Sequence, residues 1–575
     1  MFLQSLLKDG STIAPVIIAT DKTQLTQFSG GKKAYPVYLT IGNIPKSLRR
    51  KPSQRACILI AYLPVESQLQ ATGMSETERK NRTQRLFHEA MRLILEPLIK
   101  AGKDGVEMVG ANGEVRKVHP LLACYAADFP EQCLVTCTKY GTCPKCRKRA
   151  NNLQDPEPGE PRSSNWTLGV IESAKKTPSQ ASFYRSCMDN DVSGSVYQPF
   201  WKDFPYCDIH MATTPDILHQ LYQGVITHLI DWVKTLMTEE EFDKRLKALP
   251  PAFGVRHFSN GWSSLSQISG TERKHMAKIL LGCLTGKLAK EGIMAVKAIL
   301  DFAYLAQYRS HSDETLAYLK EALESFHKHK VFFIRMGVRK HINIPKFHSL
   351  IHYIEAIKLF GATDNYNTET FERFHIDFAK EGWRASNKRD EFPQMITWLS
   401  RQEKISLFDT YLGMLDNHLN PEPPAPPTQL SQQRKHKIAK FPPFPSKRLQ
   451  TIQYQHQAPN FSNDLKGYLN NLVPQPASNR HLSLFILPFQ RIDVFSQFKF
   501  HPHNLLDLIA EEEEEDVVKA LPISKQNPLG QFDTVVVLNN KKEDSESTGL
   551  TGKLHYRCST INFQTSYKFN RHSNR

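Results

Sequence analysis

The sequence predicts an α/β chain, of the α+β kind: a mixed sheet with a large, mainly helical insertion, followed by a small β-rich C-terminal region. Three observations predict it. Apolar runs rich in β-branched residues recur through the first 130 or so of the 575 residues, helical apolar spacing takes over from 213 to about 410, and short strand-like runs return after a Pro-rich basic stretch.

The element order begins with three strand-like runs, IAPVIIATD (13–21), YPVYLTIGNI (35–44) and ACILIAYLPV (56–65). The segment after Ser75 then carries a helical pattern, with Leu86, Met91, Leu93, Ile94 and Leu98 assigned to one side and Gly102 near its end. A hairpin-like stretch around ANGE (111–114) leads into HPLLACYAADFPEQ, a fourth buried strand. Residues 147–200 are polar and turn-rich and read as a loop. The stretch 420–445 is a Pro-rich, basic linker, and beyond it HLSLFILPF, VFSQFKF and FDTVVVL are strand candidates around an acidic run, 511–516, that reads as a solvated loop. The organisation expected is therefore a core's first part over 1–146, an insertion over 147–340, a helical return over 341–412, a linker over 413–450 and a β-rich region over 451–575.

Lys and Arg number 74 against 58 Asp and Glu, a net charge of +16 that favours polyanionic partners, nucleic acid first. Four of the ten cysteines crowd between Cys133 and Cys146, with no disulfide ladder, which favours reduced thiols and a metal site. The N-terminus has no basic region or small-residue cleavage site, and no apolar run is long enough to span a bilayer. An intracellular, soluble protein without membrane contact is expected.

Asp21 and Asp128 each end a buried strand-like run. On parallel neighbouring strands they would share one edge of the sheet, where open α/β sheets bind ligands. An aspartate at a strand end also caps helices, and D-F-P-E at 128–131 fits an N-cap with a capping-box Glu. Glu369 and Glu372, three apart on a helix, offer a third acid or an ion pair with Lys or Arg. Phosphodiester chemistry uses such carboxylates to hold a pair of hard divalent ions. Cys137, Cys143 and Cys146 have zinc-knuckle spacing and need a fourth ligand, for which Cys133 is one candidate. Asp216, after Pro215, also suits a helix N-terminus and His219 a helix surface. His341, His348, His352 and His375 lie among apolar residues and read as packed or phosphate-facing. The basic runs SLRRKPSQR (47–55) and RKHKIAK (434–440) suit DNA backbone contact or plain solvation.

The stretches IIATDKTQLTQFSGGKKAYPVYLTIGNIPKSLRRKPSQRACILIAYLP, YAADFPEQCLVTCTKYGTCPKCRK, TPDILHQLYQGVITHLIDW, IPKFHSLIHYIEAIKLFGATDNYNTETFERFHIDFAK and KRDEFPQMITWL closely resemble Plavaka transposases, fungal mobile elements allied to the CACTA group, in order from about residue 10 to 405. The resemblance implies an RNase H-like DDE transposase that cleaves transposon ends and joins them to target DNA in the nucleus, with Mg²⁺ or Mn²⁺. It implies Asp21 as the first acid, Asp128 in the D-[FY]-P pattern as the second and Glu372 in F-E-R-F as the third, with Glu369 as runner-up. His219 in D-I-L-H resembles the [CD]xxH signature and is the candidate fourth ligand of a structural Zn²⁺ with Cys137, Cys143 and Cys146. Arg49, Arg50, Lys51, Arg55 and Arg373 are the expected DNA contacts, and a homo-oligomer is compatible with this reading. Met1 lies twenty residues before Asp21 and the residues after GLTG depart from the family, so N-terminal truncation is expected. The alternative is an inactive or host-adopted transposase-derived fragment that binds DNA or protein and moves nothing.

Overall fold

The computed structural model describes residues 2–419 apart from 6, 9, 27–30, 66–72, 111–112, 251–254, 264 and 266, and beyond them 436–439, 441–472, 487, 489–500, 516–523, 530–532, 535–537 and 555–557. The chain divides into two compact units, Met1–Pro421 and Glu422–Arg575.

In the first unit five strands form one mixed sheet: β1 (Ser11–Thr20), β2 (Pro36–Ile41), β3 (Ile58–Tyr62), β4 (Val106–Val109) and β5 (Val115–Ala126), in the order β3-β2-β1-β5-β4. β1 runs antiparallel to β2 and parallel to β5; the other pairs are antiparallel. β1 is apolar on both faces, as a parallel strand covered on two sides must be. Its alternating residues serve two cores. Val16 and Ile18 pack with Phe87, Met91 and Leu95, whereas Ile17 and Ala19 pack with Tyr366, Phe371 and Phe374.

The register between β1 and β5 shifts once. Val16 pairs with Leu122 but Ile17 with Cys124, so the ladder skips Ala123, and Ala19 then faces Ala126. Such a bulge re-aims the residues beyond it. Continued two residues further, the pairing brings Asp21 level with Asp128, both on the face of Ile17 and Ala19.

α1 (Glu76–Asp104) links β3 to β4. Ser75 caps it by accepting from the Glu78 N–H, and Gly105 ends it at φ 72°, in the left-handed region that favours glycine. The buried face is Phe87, His88, Met91 and Leu95; Leu93, expected inside, is exposed. The expected hairpin is β4–β5, although residues 111–112 of its turn lie outside the described residues. α2 (Phe129–Val135) follows β5 directly.

Residues 147–200 are not a plain loop. They contain α3 (Ser164–Lys175) and α4 (Gln180–Asp189), which start on serine caps: Ser163 accepts from the Trp166 N–H and Ser179 from the Ser182 N–H. Ile171, Ala174, Phe183, Cys187 and Val192 make a small core between them. Few apolar residues suffice for two short helices with good caps, so the polar average of the stretch hid them. From residue 209 the chain is helical. Among the described residues the strands stop at Ala126 and resume at His436. The helical part has its own core, in which Trp232 stacks on Phe347 and meets Phe333 at a tilt, with Leu229, Ile299 and Leu319 in the same core.

In the second unit, strands at His436–Ile438 and Phe444–Arg448 fall inside the stretch read as linker. Two helices, Leu449–Gln455 and Phe461–Leu472, precede the strands Arg491–Val494, Gln497–Phe500 and Asp516–Leu521. Residues 420–435, most of HLSLFILPF and the acidic residues 511–515 lie outside the described residues, as do the last residues after 557. None of the described helices is long and apolar enough to cross a membrane.

Candidate active site and metal cluster

The C-terminal ends of β1 and β5 open onto a group of ionisable side chains. Asp128 caps α2, its Oδ1 accepting the Glu131 N–H at 2.9 Å. One carboxylate oxygen thus serves the cap, and the cap and metal-ligand readings of this residue are compatible. Past α4, Thr213 bridges Tyr125 in parallel and Thr214 N–H donates to the Tyr125 carbonyl, which brings the next turn alongside the sheet. Gln132 Nε2 donates to the carbonyls of Ala127 and Thr214, tying α2 to that turn.

The turn leads into α5 (Ile217–Ile226), a π-helical segment capped by Asp216. π segments are rare and concentrate at functional sites. Asp216 is 1 % exposed and accepts from the N–H groups of Leu218 and His219, from His219 Nδ1 at 2.8 Å and from Thr368 Oγ1 at 2.6 Å. Thr368 opens α6 (Thr368–Phe374), which carries Glu372. The other nitrogen of His219, Nε2, meets Glu372 Oε1 at 2.9 Å. His219 therefore bridges Asp216 and Glu372. Burial alone would lower its pKa, but hydrogen bonds to both carboxylates and their charges outweigh burial and hold it at about 11.

Asp21 lies at this confluence, with 43 % of its side chain still open to solvent. Burial by the surrounding walls pushes its pKa up to about 7, the charges of Asp128 and Glu372 push the same way, and His219 opposes them. The Asp128 carboxyl is raised too, by burial first, and His219 and Lys346 work against the rise. His375 Nε2 is 4.0 Å from Asp21 Oδ2. Glu369 turns elsewhere: it pairs with Lys274 at 2.5 Å and accepts from Asn367 Nδ2 at 2.9 Å.

The arginines expected on DNA differ in placement. Arg49 is buried, 8 % exposed, and its guanidinium is spent on the carbonyls of Ile44 and Asn365 and on the Asn365 side chain. It fastens the 45–50 turn to the segment before α6 and is no surface cation. Arg50 lies 3.7 Å from Asp364, Arg55 donates to the Gln402 carbonyl, Lys51 is exposed and Arg373 pairs with Asp377 while half exposed.

A second cluster forms away from the carboxylates. Cys143, Cys146, His348 and His352 are all buried, and their ligand atoms lie within 4.8 Å of one another. Cys143 Sγ is 3.3 Å from His352 Nε2, and Cys146 Sγ is 3.2 Å from His348 Nε2. Around a tetrahedral zinc with ordinary bond lengths, sulfur and nitrogen ligands stand about 3.5 Å apart. The donor set fits zinc. His348 Nδ1 donates to the Leu153 carbonyl at 3.1 Å, which leaves Nε2 as the free electron pair facing Cys146. Arg162 Nε supports the knuckle through the carbonyls of Cys143 and Cys146, and His210 Nδ1 through that of Pro144. The Cys143 thiol first, and then the two imidazoles beside it, hold Cys146 far below the usual thiol range, as a ligand thiolate requires.

Two of the four expected ligands are therefore elsewhere. Cys137 faces His88 at 3.5 Å in the core beneath α1, and His219 belongs to the carboxylate site. Cys133 is buried in α2, outside the cluster.

Residues 2–233 match the Plavaka transposase family. Over that part the chain is similar to Plavaka transposases. The transposase match contains Asp21, Asp128, both knuckle cysteines and the Asp216–His219 turn, whereas His348, His352 and Glu372 come from the chain beyond it. A search of curated proteins finds none that matches the chain. A transposase implies DNA binding, and the net charge of +16 suits that partner.

His348 and His352 were the residues missed. Their H-x3-H spacing puts two imidazoles one turn apart, a ligand-pair signal masked by the aromatic and aliphatic residues around them. Asp216, read within the D-I-L-H signature or as a charge at a helix N-terminus, joins His219 to the helix of Glu372.

Proposed function

We propose that the chain is a DDE transposase in which Asp21, Asp128 and Glu372 hold divalent metal for cleavage of transposon ends and strand transfer to target DNA. The observation that carries this reading is the convergence of the three carboxylates on one side of the β1 and β5 ends, with Asp21 destabilised as an anion by burial first and by the charges of the other two as well. A bound cation would relieve that repulsion, and three oxygen donors suit Mg²⁺ or Mn²⁺. When bound, such ions activate the attacking oxygen and stabilise the leaving one. The protein's own part is placement. The bulge in β5 levels Asp21 with Asp128, Asp128 is held by its cap bond, and the Asp216–His219 bridge brings Glu372 to them. Lys51 and Arg373 are surface cations suited to phosphates. Action on chromosomal DNA would place the protein in the nucleus.

We further assign Cys143, Cys146, His348 and His352 to one structural zinc. A closed, buried set of four soft ligands suits a structural site and leaves no open position for substrate. It would fasten the knuckle after α2 to the segment that returns the chain to α6.

The test is cleavage of labelled duplex DNA carrying the flanks of the element, with Mg²⁺ or Mn²⁺ added or omitted. Metal-dependent nicking lost in Asp21→Asn, Asp128→Asn and Glu372→Gln but kept in Glu369→Gln supports the reading. DNA binding without cleavage by the unaltered chain would favour the transposase-derived binding fragment instead.

A further inference from the structure

Behind these carboxylates stands Glu131, which touches the end of β1 with its side chain and the end of β5 with its backbone. Glu131 is the third residue of α2. Its main-chain N–H holds Asp128 Oδ1 at 2.9 Å. In a capping box its side chain would turn back to the N–H of the capping residue. It points instead toward β1, where Oε1 accepts from Thr20 Oγ1 at 2.5 Å and from the Tyr35 hydroxyl. Thr20 Oγ1 also lies 2.9 Å from the Tyr125 hydroxyl, on β5.

Thr20 is the residue before Asp21, and Tyr125 lies three before Asp128. One side chain therefore grips the end of β1 while its own backbone grips the carboxylate at the end of β5. A partly buried carboxylate is costly unless its oxygens find donors, and two hydroxyls converging on one oxygen make this contact short and directional. An apolar residue would keep the backbone hold on Asp128 but leave the end of β1 without its anchor.

We infer that Glu131 is a positioning residue that sets the separation of Asp21 and Asp128 for divalent metal. The inference rests on the reading of those aspartates as metal ligands. Glu131 acts through Thr20, Tyr35 and the Asp128 cap, and its role needs an oxygen acceptor at Oε1, not a negative charge.

The experiment is a calorimetric titration of the zinc-loaded full chain with Mn²⁺, which reads metal affinity without any DNA. Glu131→Ala loses both hydroxyl anchors and should bind Mn²⁺ about tenfold or more weaker, the usual size of an outer-shell loss. Glu131→Gln keeps an oxygen at the same place and should stay within about threefold of the unaltered chain. Equal affinity in Glu131→Ala and the unaltered chain would overturn the inference. So would an equal loss in Glu131→Gln, because charge would then be what matters. If Glu131→Ala does not fold, Thr20→Val and Tyr35→Phe each remove one anchor, and unchanged affinity in both would also overturn it. Asp21→Asn is the control: if it too binds Mn²⁺ normally, the metal reading of the aspartates has failed, whatever Glu131 does.

Discussion

The carboxylate site and the Cys–His cluster draw on the same short stretch of chain, from the end of β5 through the knuckle at 143–146, yet they solve opposite problems. In the cluster, four uncharged or singly ionised soft ligands are sealed in the interior and braced from behind by Arg162, His210 and the Leu153 carbonyl. At the strand ends, like charges are crowded together and Asp21 is left partly open, with His219 as a fixed counter-charge. The first arrangement favours a permanent ion. The second is unfavourable until a cation arrives, which suits the metal-binding role proposed for it.

The largest effect should come from breaking the sealed cluster. Cys143→Ser or His352→Ala should release zinc and lower unfolding stability by more than about 4 kcal/mol, in the range reserved for lost metals and disulfides. Metal analysis combined with denaturant unfolding checks this. Retained zinc in both variants would erase the contrast between the two sites.

Next in size is a loss of rate without a loss of fold. Asp128→Asn keeps a side-chain oxygen for the α2 cap, so its stability should change by about 1 kcal/mol or less. Cleavage should fall by about a thousandfold or more, roughly 4 kcal/mol of barrier. Parallel cleavage and thermal-unfolding measurements separate the two functions of this residue.

A smaller effect is expected with pH. The Asp21 pKa is raised in the folded chain from 3.8 to about 7, so the folded state binds more protons than the unfolded one between those values. Its contribution is fully present below pH 3.8 and is lost as pH rises through 7. Divalent metal needs the ionised form, so stabilisation by added Mn²⁺ should grow between pH 6 and pH 8, with proton release that shrinks over the same range. Thermal shifts with and without Mn²⁺ across that range would show it, and a shift that shrinks with pH would contradict the electrostatic description of the site.

The smallest effect belongs to Glu369→Gln. It loses a partly exposed ion pair with Lys274, worth about 1 kcal/mol or less, and should keep measurable cleavage. Cleavage assays on this variant beside Glu372→Gln sharpen the assignment to one helical turn.

Much of the carboxylate site was legible because strand-end aspartates announce themselves locally. VIIATD and LLACYAAD read as buried strands whose ends would meet if the two paired in parallel, as they do. The bulge at Ala123 was not legible, although it decides that Asp21 and Asp128 share a level and a face. The zinc partners were out of reach of spacing alone. The contacts of Cys143 and Cys146 with His352 and His348 span 209 and 202 residues, and no local pattern pairs a knuckle with one helix over another. His219 was drawn toward the cysteines for the same reason, since a D-x2-H turn does not reveal which cluster it faces. Arg49 sat in a basic run that looked solvated, and only the position of Asn365 turns it inward.

The central claim is that the two clusters sort hard from soft metal, and element-specific anomalous diffraction tests it most directly. Crystals of the full chain soaked in Mn²⁺, measured at the manganese and zinc edges, should show manganese bound by Asp21, Asp128 and Glu372 and zinc bound by Cys143, Cys146, His348 and His352. Manganese absent from those three carboxylates, or bound by Glu369 in place of Glu372, would contradict the account.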